Sequence, residues 1–310
     1  MGNQSPTIIA LGNFDGIHRG HRQVIDSILT QFKESIQSSA RVVVSFEPHP
    51  QEFFTGIHRP LLTPLSEKQD YLRLLGVDEL RLLPFDAAMA RLTPREFVES
   101  VLIKDLNVRS ISVGQNFRFG HRRAGNTEDL KAIAAEHDIP VYIAPLYRCG
   151  SERVSSSAIR NALDKGDVSA AKRLLGRPYR LIGSVVKGQQ LGRTLGFPTA
   201  NLHLPDDKLR PKYGVYAVNV FIHANNGFTM PQASDLKPLP GVMNIGNRPT
   251  VDGFQQTTEV HLLDWQGDLY GKTVTVELLS FLRPEQRFDS LDALKTQISH
   301  DCEQARLLKL

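Results

Sequence analysis

The spacing of apolar residues changes once along this 310-residue chain, close to Arg177. From Thr7 to about Gly176, short apolar runs alternate with longer segments of helical period, which is typical of a parallel sheet covered by helices. From Tyr179 onward the period is close to two, and Gly, Pro and Asn turns separate the runs. We therefore expect a doubly wound α/β domain at 1–177, followed by a small antiparallel β-barrel domain at 178–310.

The same patterns predict the individual elements. In the first domain, strands are expected at 7–11, 42–46, 79–83, 110–113 and 141–144. Helices are expected there at 21–32, 66–75, 94–106, 127–136, 157–164 and 168–175. In the second domain, strands are expected at 181–186, 215–222, 258–263 and 273–279, with a hairpin insertion at 222–240. A last helix at 290–308 places Leu291, Leu294, Ile298 and Cys302 on one face, which predicts packing on the barrel.

Composition narrows the classes of partner. The 37 Lys and Arg residues exceed the 33 Asp and Glu residues, giving a net charge of +4 that is spread along the chain. This favours small anionic ligands over nucleic acid. Cys149 and Cys302 lack metal-ligand spacing and are too few for a disulfide framework, which fits a reducing cytoplasm. The sequence has no apolar run of about 20 residues and no signal-peptide pattern, so no membrane partner is expected. A homo-oligomer is left open.

A glycine-rich run follows the first predicted strand and precedes a helix. Glycines let a backbone approach phosphate closely, and a helix N-terminus favours anions. His18 and His21 are three residues apart, so both imidazoles can face one phosphate group. This arrangement suits nucleotidyl transfer, in which the histidines stabilise the departing pyrophosphate. Surface histidines on a simple turn, or two metal ligands, are the alternatives. The candidate residues are Gly12, Asn13, Phe14, Asp15, Gly16, His18 and His21.

Two further segments are predicted at the same edge of the sheet, where such folds bind ligands. The 114–126 loop, with Asn116, Arg118 and Phe119, offers aromatic and basic groups to a phosphorylated aromatic substrate. A solvated basic loop is its alternative. The second segment places hydroxyl groups and an arginine at a helix start, which can bind phosphate or simply cap the helix. Its candidates are Ser155, Ser156, Ser157 and Arg160.

The second domain carries a polyphosphate-binding candidate of a different kind. Its first segment has neither the Walker A ending nor a dinucleotide fingerprint, although its glycines and cations can still bind phosphates. Thr199 and Asn201 alternate on an extended segment, where a hydroxyl and an amide oxygen suit Mg²⁺. Glu259 on a later strand can accept a substrate proton, or simply belong to a polar solvent face. The other candidates in that first segment are Gly183, Lys187, Gly188, Gly192 and Arg193.

These motifs together closely resemble the bacterial bifunctional riboflavin kinase/FMN adenylyltransferase (FAD synthetase) family, from Leu11 to about Arg306. The 12–21 run resembles the adenylyltransferase signature, and 155–160 resembles that family's second phosphate motif. The run Gly-Phe-Pro-Thr-Ala-Asn at 196–201 resembles the kinase signature. Ser157 stands where many members have Thr, and Asn116 stands where Asp is also common. The 222–240 insertion is longer than usual.

The resemblance implies two consecutive reactions. The second domain would use Mg-ATP, at Thr199 and Asn201, to phosphorylate riboflavin with Glu259 as base. The first domain would then adenylylate FMN to FAD, with His18 and His21 on the ATP phosphates. FMN would contact the 116–119 segment. The kinase flavin would contact Asn244 and Arg248, in a 241–250 segment interpreted as a loop. Before the last helix, Arg283, Arg287 and Phe288 could hold the flavin ring or simply cap the barrel.

Three alternatives remain open at this point. The first is a nucleotidyltransferase acting on another phosphate-bearing metabolite. The presence of the second, β-rich domain is evidence against this alternative. The second is a kinase with a degenerate first half, although His18, His21, Ser156 and Arg160 are all present. The third is a non-catalytic flavin- or RNA-binding regulator, which leaves Thr199, Asn201 and Glu259 without a role.

Overall fold

The chain forms two compact units, Met1–Ser155 and Ser156–Leu310. The structure, a computed structural model, describes residues 5–30, 39–188, 191–223, 237–250 and 253–308. Most of the predicted insertion at 222–240 therefore lies outside the described residues. The division at residue 155 assigns the helix pair at 156–175 to the second unit, and the boundary near Arg177 stays a prediction.

The first unit alternates strands and helices, as the apolar spacing predicts. Its strands are β1 (Thr7–Leu11), β2 (Ala40–Glu47), β3 (Glu79–Pro84), β4 (Val108–Gly114) and β5 (Val141–Ala144), with a small hairpin of β6 (Arg148–Cys149) and β7 (Glu152–Arg153). Its helices are α1 (Arg19–Thr30), α2 (Pro50–Thr55), α3 (Leu65–Leu74), α4 (Pro94–Glu96) and α5 (Thr127–Ala135). Helix α4 continues as a wider π-helix, Phe97–Asp105.

The five long strands form one parallel sheet in the order β3-β2-β1-β4-β5. This is a doubly wound arrangement, so the predicted fold class of the first half is confirmed. The order reverses between β1 and β4, and ligands bind such sheets beyond the carboxyl ends of the strands at that point. The 12–21 and 114–126 segments follow β1 and β4, and therefore leave the sheet at its switch point.

Both faces of the sheet are covered, because successive side chains of a strand point to opposite faces. Ile8 and Ala10 of β1 belong to one core cluster with Ile25 of α1. Ile9 and Leu11 belong to a second cluster with the π-helix, α5 and the adjoining strands. Every residue of β1 is buried. The strand that leads into the histidine-containing turn thus lies at the centre of a packed unit.

The second unit begins with a helix pair and continues as antiparallel β-structure. The helices are α6 (Ser156–Lys165) and α7 (Val168–Leu175), followed later by α8 (Leu191–Thr194) and α9 (Leu291–Leu307). The strands are β8 (Arg180–Val186), β9 (Ala200–His203), β10 (Gly214–Ile222), β11 (Leu239–Thr250), β12 (Gly253–Leu262) and β13 (Thr273–Arg283). Asp167 caps α7 at its start, and Gly176 ends it in the left-handed conformation.

The six strands form a closed barrel in the order β10-β11-β12-β9-β8-β13, which confirms the predicted β-barrel. The interpretation of 241–250 as a loop was wrong, because this segment lies in β11 and pairs with both β10 and β12. Gly241 belongs there for a steric reason. A Cβ atom at that position would lie 2.8 Å from the His261 carbonyl oxygen, so the two strands approach too closely for a side chain.

The last helix packs on the barrel as predicted, but with a different set of residues. Ile298, Cys302 and Ala305 contact a cluster that includes Val215 and Val242 of the barrel. The side chain of Leu291 is 66% exposed, so its predicted place on the packing face was wrong. Helix α9 meets the barrel with its C-terminal half, and its first turn projects into solvent. No described helix is long and apolar enough to span a membrane.

Candidate active sites

The turn between β1 and α1 is formed by the predicted glycine-rich run. Phe14, Gly16 and Ile17 have positive φ angles of 53°, 87° and 39°. Phe14 and Ile17 are nonetheless fully buried. Their side chains pack into the core while the backbone takes a conformation that few non-glycine residues adopt. The turn is thus held in its shape by burial of its own side chains, and it delivers the chain to the start of α1.

His18 and His21 come together at that helix start. Their ring centroids are 3.6 Å apart with 16° between the ring planes. The backbone N–H of His21 donates to Nδ1 of His18 at 3.1 Å, and the edge of Phe14 contacts the His21 ring at 5.2 Å. The two imidazoles therefore form one unit at the amino end of a helix, where the helix dipole favours an anion.

Two residues form hydrogen bonds with this turn: Thr63, which precedes α3, and Lys68, which lies within α3. The Thr63 backbone N–H donates to Asp15 Oδ1 at 3.1 Å, and the Gly16 N–H donates to Thr63 Oγ1 at 2.9 Å. The Lys68 ammonium donates to the Asn13 carbonyl oxygen at 3.2 Å. The sequence does not predict Thr63 and Lys68 at this site, because no local pattern links them to a turn about 50 positions earlier.

An aromatic patch follows β2 and β3 at the same edge of the sheet, and it was also missed. Phe53, Phe54 and Phe85 contact one another edge to face, with centroid distances of 5.3 to 5.8 Å. Phe54 is 68% exposed. His49 caps α2 by accepting the Gln51 N–H. Burial, followed by the charge of Arg59, lowers the pKa of His49. We call Phe53, Phe54 and Phe85 the phenylalanine patch.

The 114–126 segment divides into a buried and an exposed part. Phe119 is 5% exposed and stacks on Phe117 at 5.6 Å, and its ring also contacts Phe97. Asn116 and Arg118 are exposed. The buried Phe119 ring therefore anchors the segment in the core, while the exposed side chains of Asn116 and Arg118 are accessible to a ligand. The predicted contact of these three residues with FMN stays a prediction.

The 155–160 segment falls across the division between the two units. Ser155 ends the first unit, and Ser156 is the first residue of α6 in the second. Ser156 and Arg160 are half-buried, and Ser157 is exposed. Their predicted role in phosphate binding remains a prediction.

The second site is assembled on two neighbouring strands of the barrel. Glu259 of β12 lies opposite Asn201 of β9 in the strand register. The Thr199 hydroxyl donates to Glu259 Oε2 at 3.2 Å. Asn244 of β11 lies opposite Glu259 on its other side. The structure thus brings together Thr199, Asn201 and Glu259, as the sequence predicts, and adds Asn244 one strand away.

Two glycines lie close against this group. A Cβ atom on Gly192 would lie 2.4 Å from the Phe197 carbonyl oxygen and 3.2 Å from Thr199 Oγ1. A Cβ atom on Gly188 would lie 2.2 Å from the Asn201 amide nitrogen. Gly188 and Gly192 therefore lie too close to the 197–201 segment to carry a side chain. A Cβ atom on Gly183 would instead lie 2.5 Å from the His203 carbonyl oxygen, and Lys187 is exposed. The side chain of Arg193 lies outside the described residues.

The remaining flavin-contact candidates differ in what the structure shows. Arg283 forms an ion pair with the buried Asp301 at 2.9 Å and lies over the Phe288 ring at 5.6 Å. This pair ties the end of β13 to α9, which accounts for Arg283 structurally. Arg287 is exposed, and the side chain of Arg248 lies outside the described residues. Flavin contact by any of them remains a prediction.

The donor set of the barrel site fits Mg²⁺ bound together with a nucleotide. Thr199, Asn201 and Glu259 offer hydroxyl, amide and carboxylate oxygens, which are the ligands this hard cation prefers. In the described part of the chain, no three His, Cys, Asp or Glu side chains form a metal-binding group. Mg²⁺ commonly uses few protein ligands plus substrate phosphates and water, so this small donor set suits Mg-ATP.

A glycine-rich turn with paired histidines at the switch point of a parallel sheet, joined in one chain to a barrel with an oxygen-donor site, is the arrangement expected of a two-domain nucleotide-using transferase. The family model described as FAD synthetase matches residues 1–158, and that described as riboflavin kinase matches 175–309. The chain belongs to the bifunctional riboflavin kinase/FMN adenylyltransferase family. The resemblance found in the sequence is thereby confirmed.

Relatives of known name match over nearly the whole chain. The bifunctional riboflavin kinase/FMN adenylyltransferase of Escherichia coli K12 is 42% identical, covering 96% of this chain and 91% of its own. That of Pseudomonas fluorescens is 41% identical, covering 97% and 92%. A crystal structure titled as a macrolide-efflux protein from Streptococcus pneumoniae is 33% identical, with a TM-score of 0.87 over 100% of this chain and 96% of that one.

Proposed function

We propose that this bifunctional riboflavin kinase and FMN adenylyltransferase carries out its two reactions with the two residue groups described above. The kinase reaction is assigned to Thr199, Asn201 and Glu259 of the barrel, and the adenylyl transfer to the 12–21 turn. The observation that carries the proposal is the contact of the Thr199 hydroxyl with Glu259 Oε2, on a strand pair that also presents Asn201. It joins oxygen ligands to a carboxylate that can act as a base.

In the kinase reaction, Glu259 accepts the proton of the riboflavin 5′-hydroxyl group. The hydroxyl oxygen then bonds to the γ-phosphorus of ATP, the bond to the bridging oxygen breaks, and ADP leaves. Thr199 and Asn201 would hold Mg²⁺, which, when bound, neutralises charge on the phosphates. Gly188 and Gly192 leave room for the backbone to approach that group, with Gly183, Lys187 and Arg193 completing the ATP site.

The flavin of the kinase reaction is assigned to residues around Glu259. Asn244 supports this assignment, because it lies opposite Glu259 in the register and is half-buried. Arg248, Arg287 and Phe288 complete the proposed flavin contacts. Arg283 contributes by holding the end of β13 against α9 through Asp301.

In the adenylyl transfer, a phosphate oxygen of FMN bonds to the α-phosphorus of ATP while pyrophosphate departs. No protein nucleophile is required. His18 and His21, stacked at the start of α1, donate hydrogen bonds to the charge that develops on the leaving pyrophosphate. Gly12, Asn13, Phe14, Asp15 and Gly16 form the turn that receives the phosphates, and Ser155, Ser156, Ser157 and Arg160 are assigned to the same ATP.

The phenylalanine patch is assigned to the flavin ring of FMN. An isoalloxazine ring is flat and largely apolar, and aromatic faces stack on such rings. Phe54 is exposed, at the edge of the sheet where ligands bind. Asn116 and Arg118 supply polar contacts, supported by the buried Phe119. The first unit thus offers an aromatic surface and a phosphate turn on one edge.

The experiment is a time course with purified protein, riboflavin, ATP and Mg²⁺, in which riboflavin, FMN and FAD are separated. We expect FMN first and FAD afterwards. FMN alone would contradict the assignment of the first unit. No product from riboflavin, with FAD formed from supplied FMN, would contradict the assignment of the barrel. Omission of Mg²⁺ in the presence of a chelator is expected to stop the kinase reaction.

We also propose a cytoplasmic setting for the protein. Cys149 and Cys302 are both free thiols, which suits a reducing cytoplasm. The assigned substrates are small molecules, and nucleic acid is not among the proposed partners.

A further inference from the structure

Lys68 is a charged residue buried behind the phosphate-binding turn. It lies on α3, its side chain is 6% exposed, and its ammonium donates to the Asn13 carbonyl oxygen at 3.2 Å. Lysine is among the residues least often fully buried, since removal of an ammonium from water is costly without compensation. A position on α3 that only had to fill space would be satisfied by leucine or methionine. The charge of Lys68 therefore calls for another explanation.

Burial has the larger effect on Lys68 and lowers its pKa below the ordinary lysine value, and two nearby carboxylates partly oppose that effect. These carboxylates belong to Asp15 and Glu47. Asp15 belongs to the phosphate-binding turn itself and is 2% exposed. Because charges interact more strongly away from water, a cation here acts on the turn with little screening. Its field extends to any anion that the turn binds.

The hydrogen bond from Lys68 also fixes the direction of the Asn13 carbonyl group in the turn. The Asn13 carbonyl oxygen accepts from Lys68 Nζ and from the hydroxyl of Ser45 on β2, at 3.2 and 3.3 Å. It is thereby turned toward β2 and α3. A carbonyl oxygen turned toward bound phosphate would repel it, whereas an N–H group attracts it. Thr63 holds the next part of the turn, through Asp15 and Gly16.

We propose that Thr63 and Lys68 are positioning residues of the adenylyl-transfer site, which fix the 13–16 backbone for the phosphates of ATP and place a cation beneath them. The proposal deepens the function assigned to the 12–21 turn and rests on it. Neither residue is required to touch FMN. Loss of either should therefore weaken the use of ATP selectively.

The test compares Lys68→Met with the wild-type full chain in the conversion of supplied FMN to FAD. We expect kcat/KM for ATP to fall about 10- to 100-fold, as for loss of a charged hydrogen-bonding group, with KM for FMN changed less than about 2-fold. Lys68→Arg, which keeps the charge, should recover most of the lost activity. Lys131→Met, on the exposed surface of α5, is the matched control and should behave as wild type.

Either of two results would overturn the proposal. One is a Lys68→Met variant whose kcat/KM for ATP stays within about 3-fold of wild type. The other is a loss that affects both substrates equally and disappears once rates are corrected for the folded fraction, measured by thermal melting. Riboflavin kinase activity of the same preparation reports the amount of intact second unit.

A second variant keeps the proposal testable if Lys68→Met does not fold. Thr63→Val removes the acceptor of the Gly16 N–H without exposing a buried charge. It should raise KM for ATP and leave KM for FMN unchanged, and an unchanged KM for ATP would contradict the proposal. Failure of the proposed function gives a different result. In that case His21→Ala would retain FAD formation, whatever the Lys68 and Thr63 variants do.

Discussion

The turn after β1 and the site on β9 and β12 are both assigned to phosphate chemistry, yet they are built in different ways. The first is one contiguous run of ten residues in which a backbone turn leads into two stacked histidines. The second is assembled from side chains 60 positions apart, joined by strand register in the barrel. The first relies on N–H groups and imidazoles, and the second on oxygen atoms.

This contrast follows from the chemistry assigned to each site. Adenylyl transfer needs charge stabilisation but no base, because the attacking FMN phosphate is already an anion. The kinase reaction starts from a neutral hydroxyl group, so a carboxylate must be present, and an oxygen-donor set suits the metal. If the two sites are independent in this way, substitutions should separate the two activities in one polypeptide.

The largest effect is expected for Glu259→Gln. Loss of the base should lower FMN formation from riboflavin by about 10²- to 10⁴-fold, while conversion of supplied FMN to FAD stays unchanged. Both rates are measured on one preparation by separation of the flavins. Glu303→Gln, an exposed carboxylate on α9, is the control. Loss of both activities without unfolding would show that the two-site division is wrong.

His21→Ala should produce the opposite separation. We expect FAD formation to fall about 10²- to 10³-fold, because donors to the developing charge on pyrophosphate are lost, while FMN formation continues. The accumulation of FMN from riboflavin is the direct readout. His137→Ala, an exposed histidine of the same unit, should leave both rates unchanged. A normal rate of FAD formation in His21→Ala would remove the turn from the reaction.

A third prediction uses glycine to compare how tightly the two sites are built. Gly192→Ala brings a methyl group to 2.4 Å from the Phe197 carbonyl oxygen, so the segment that carries Thr199 must move. We expect about a 10- to 100-fold lower kinase rate from such a displacement. Gly20→Ala meets the His18 ring at 3.3 Å, which a small ring movement relieves. FAD formation should fall less in that variant, and equal losses would contradict the comparison.

The smallest effect concerns stability in acid, through a histidine of the barrel unit. His223 is buried and contacts the Thr275 hydroxyl at 2.9 Å, and burial lowers its pKa. Below the ordinary pKa of histidine, about 6.5, the unfolded chain binds a proton more readily than the folded one, so stability falls with falling pH. From pH 7.5 to 5.5, His223→Gln should lose about 1–2 °C less melting temperature than wild type. An identical pH dependence would contradict this role.

The sequence predicted most of the fold because apolar spacing is a local property. Strands β1 and β5 and helix α7 have the predicted bounds. Strand β11 was missed because Gly241 and Pro249 are typical of turns. Its pairing with both neighbours in the closed barrel outweighs that local preference. Helical spacing likewise identifies an apolar face but not how far along the helix its partner extends, which is why Leu291 was misplaced.

For the site residues as well, local sequence patterns predicted some of the groupings, whereas contacts between distant positions were not predicted. The stacked histidines follow from a three-residue spacing in one run, and Thr199 and Asn201 from alternation on one strand. Thr63 and Lys68 carry no local sign of their contacts, because they reach the turn across 47 to 55 positions. The phenylalanine patch was missed for a similar reason, since Phe85 joins Phe53 and Phe54 only once β2 and β3 are paired.

The strand order also bears on how the protein avoids self-association. A closed barrel has no unpaired strand edge, whereas the open sheet ends in β3 and β5. An exposed edge invites a strand from another molecule, and charges or prolines discourage such addition. On β3, Glu79 and Arg81 form an ion pair at 2.7 Å, and Pro84 ends the strand. Pro140 and Pro145 flank β5. The α/β unit therefore needs sequence features against aggregation that the barrel obtains by closure.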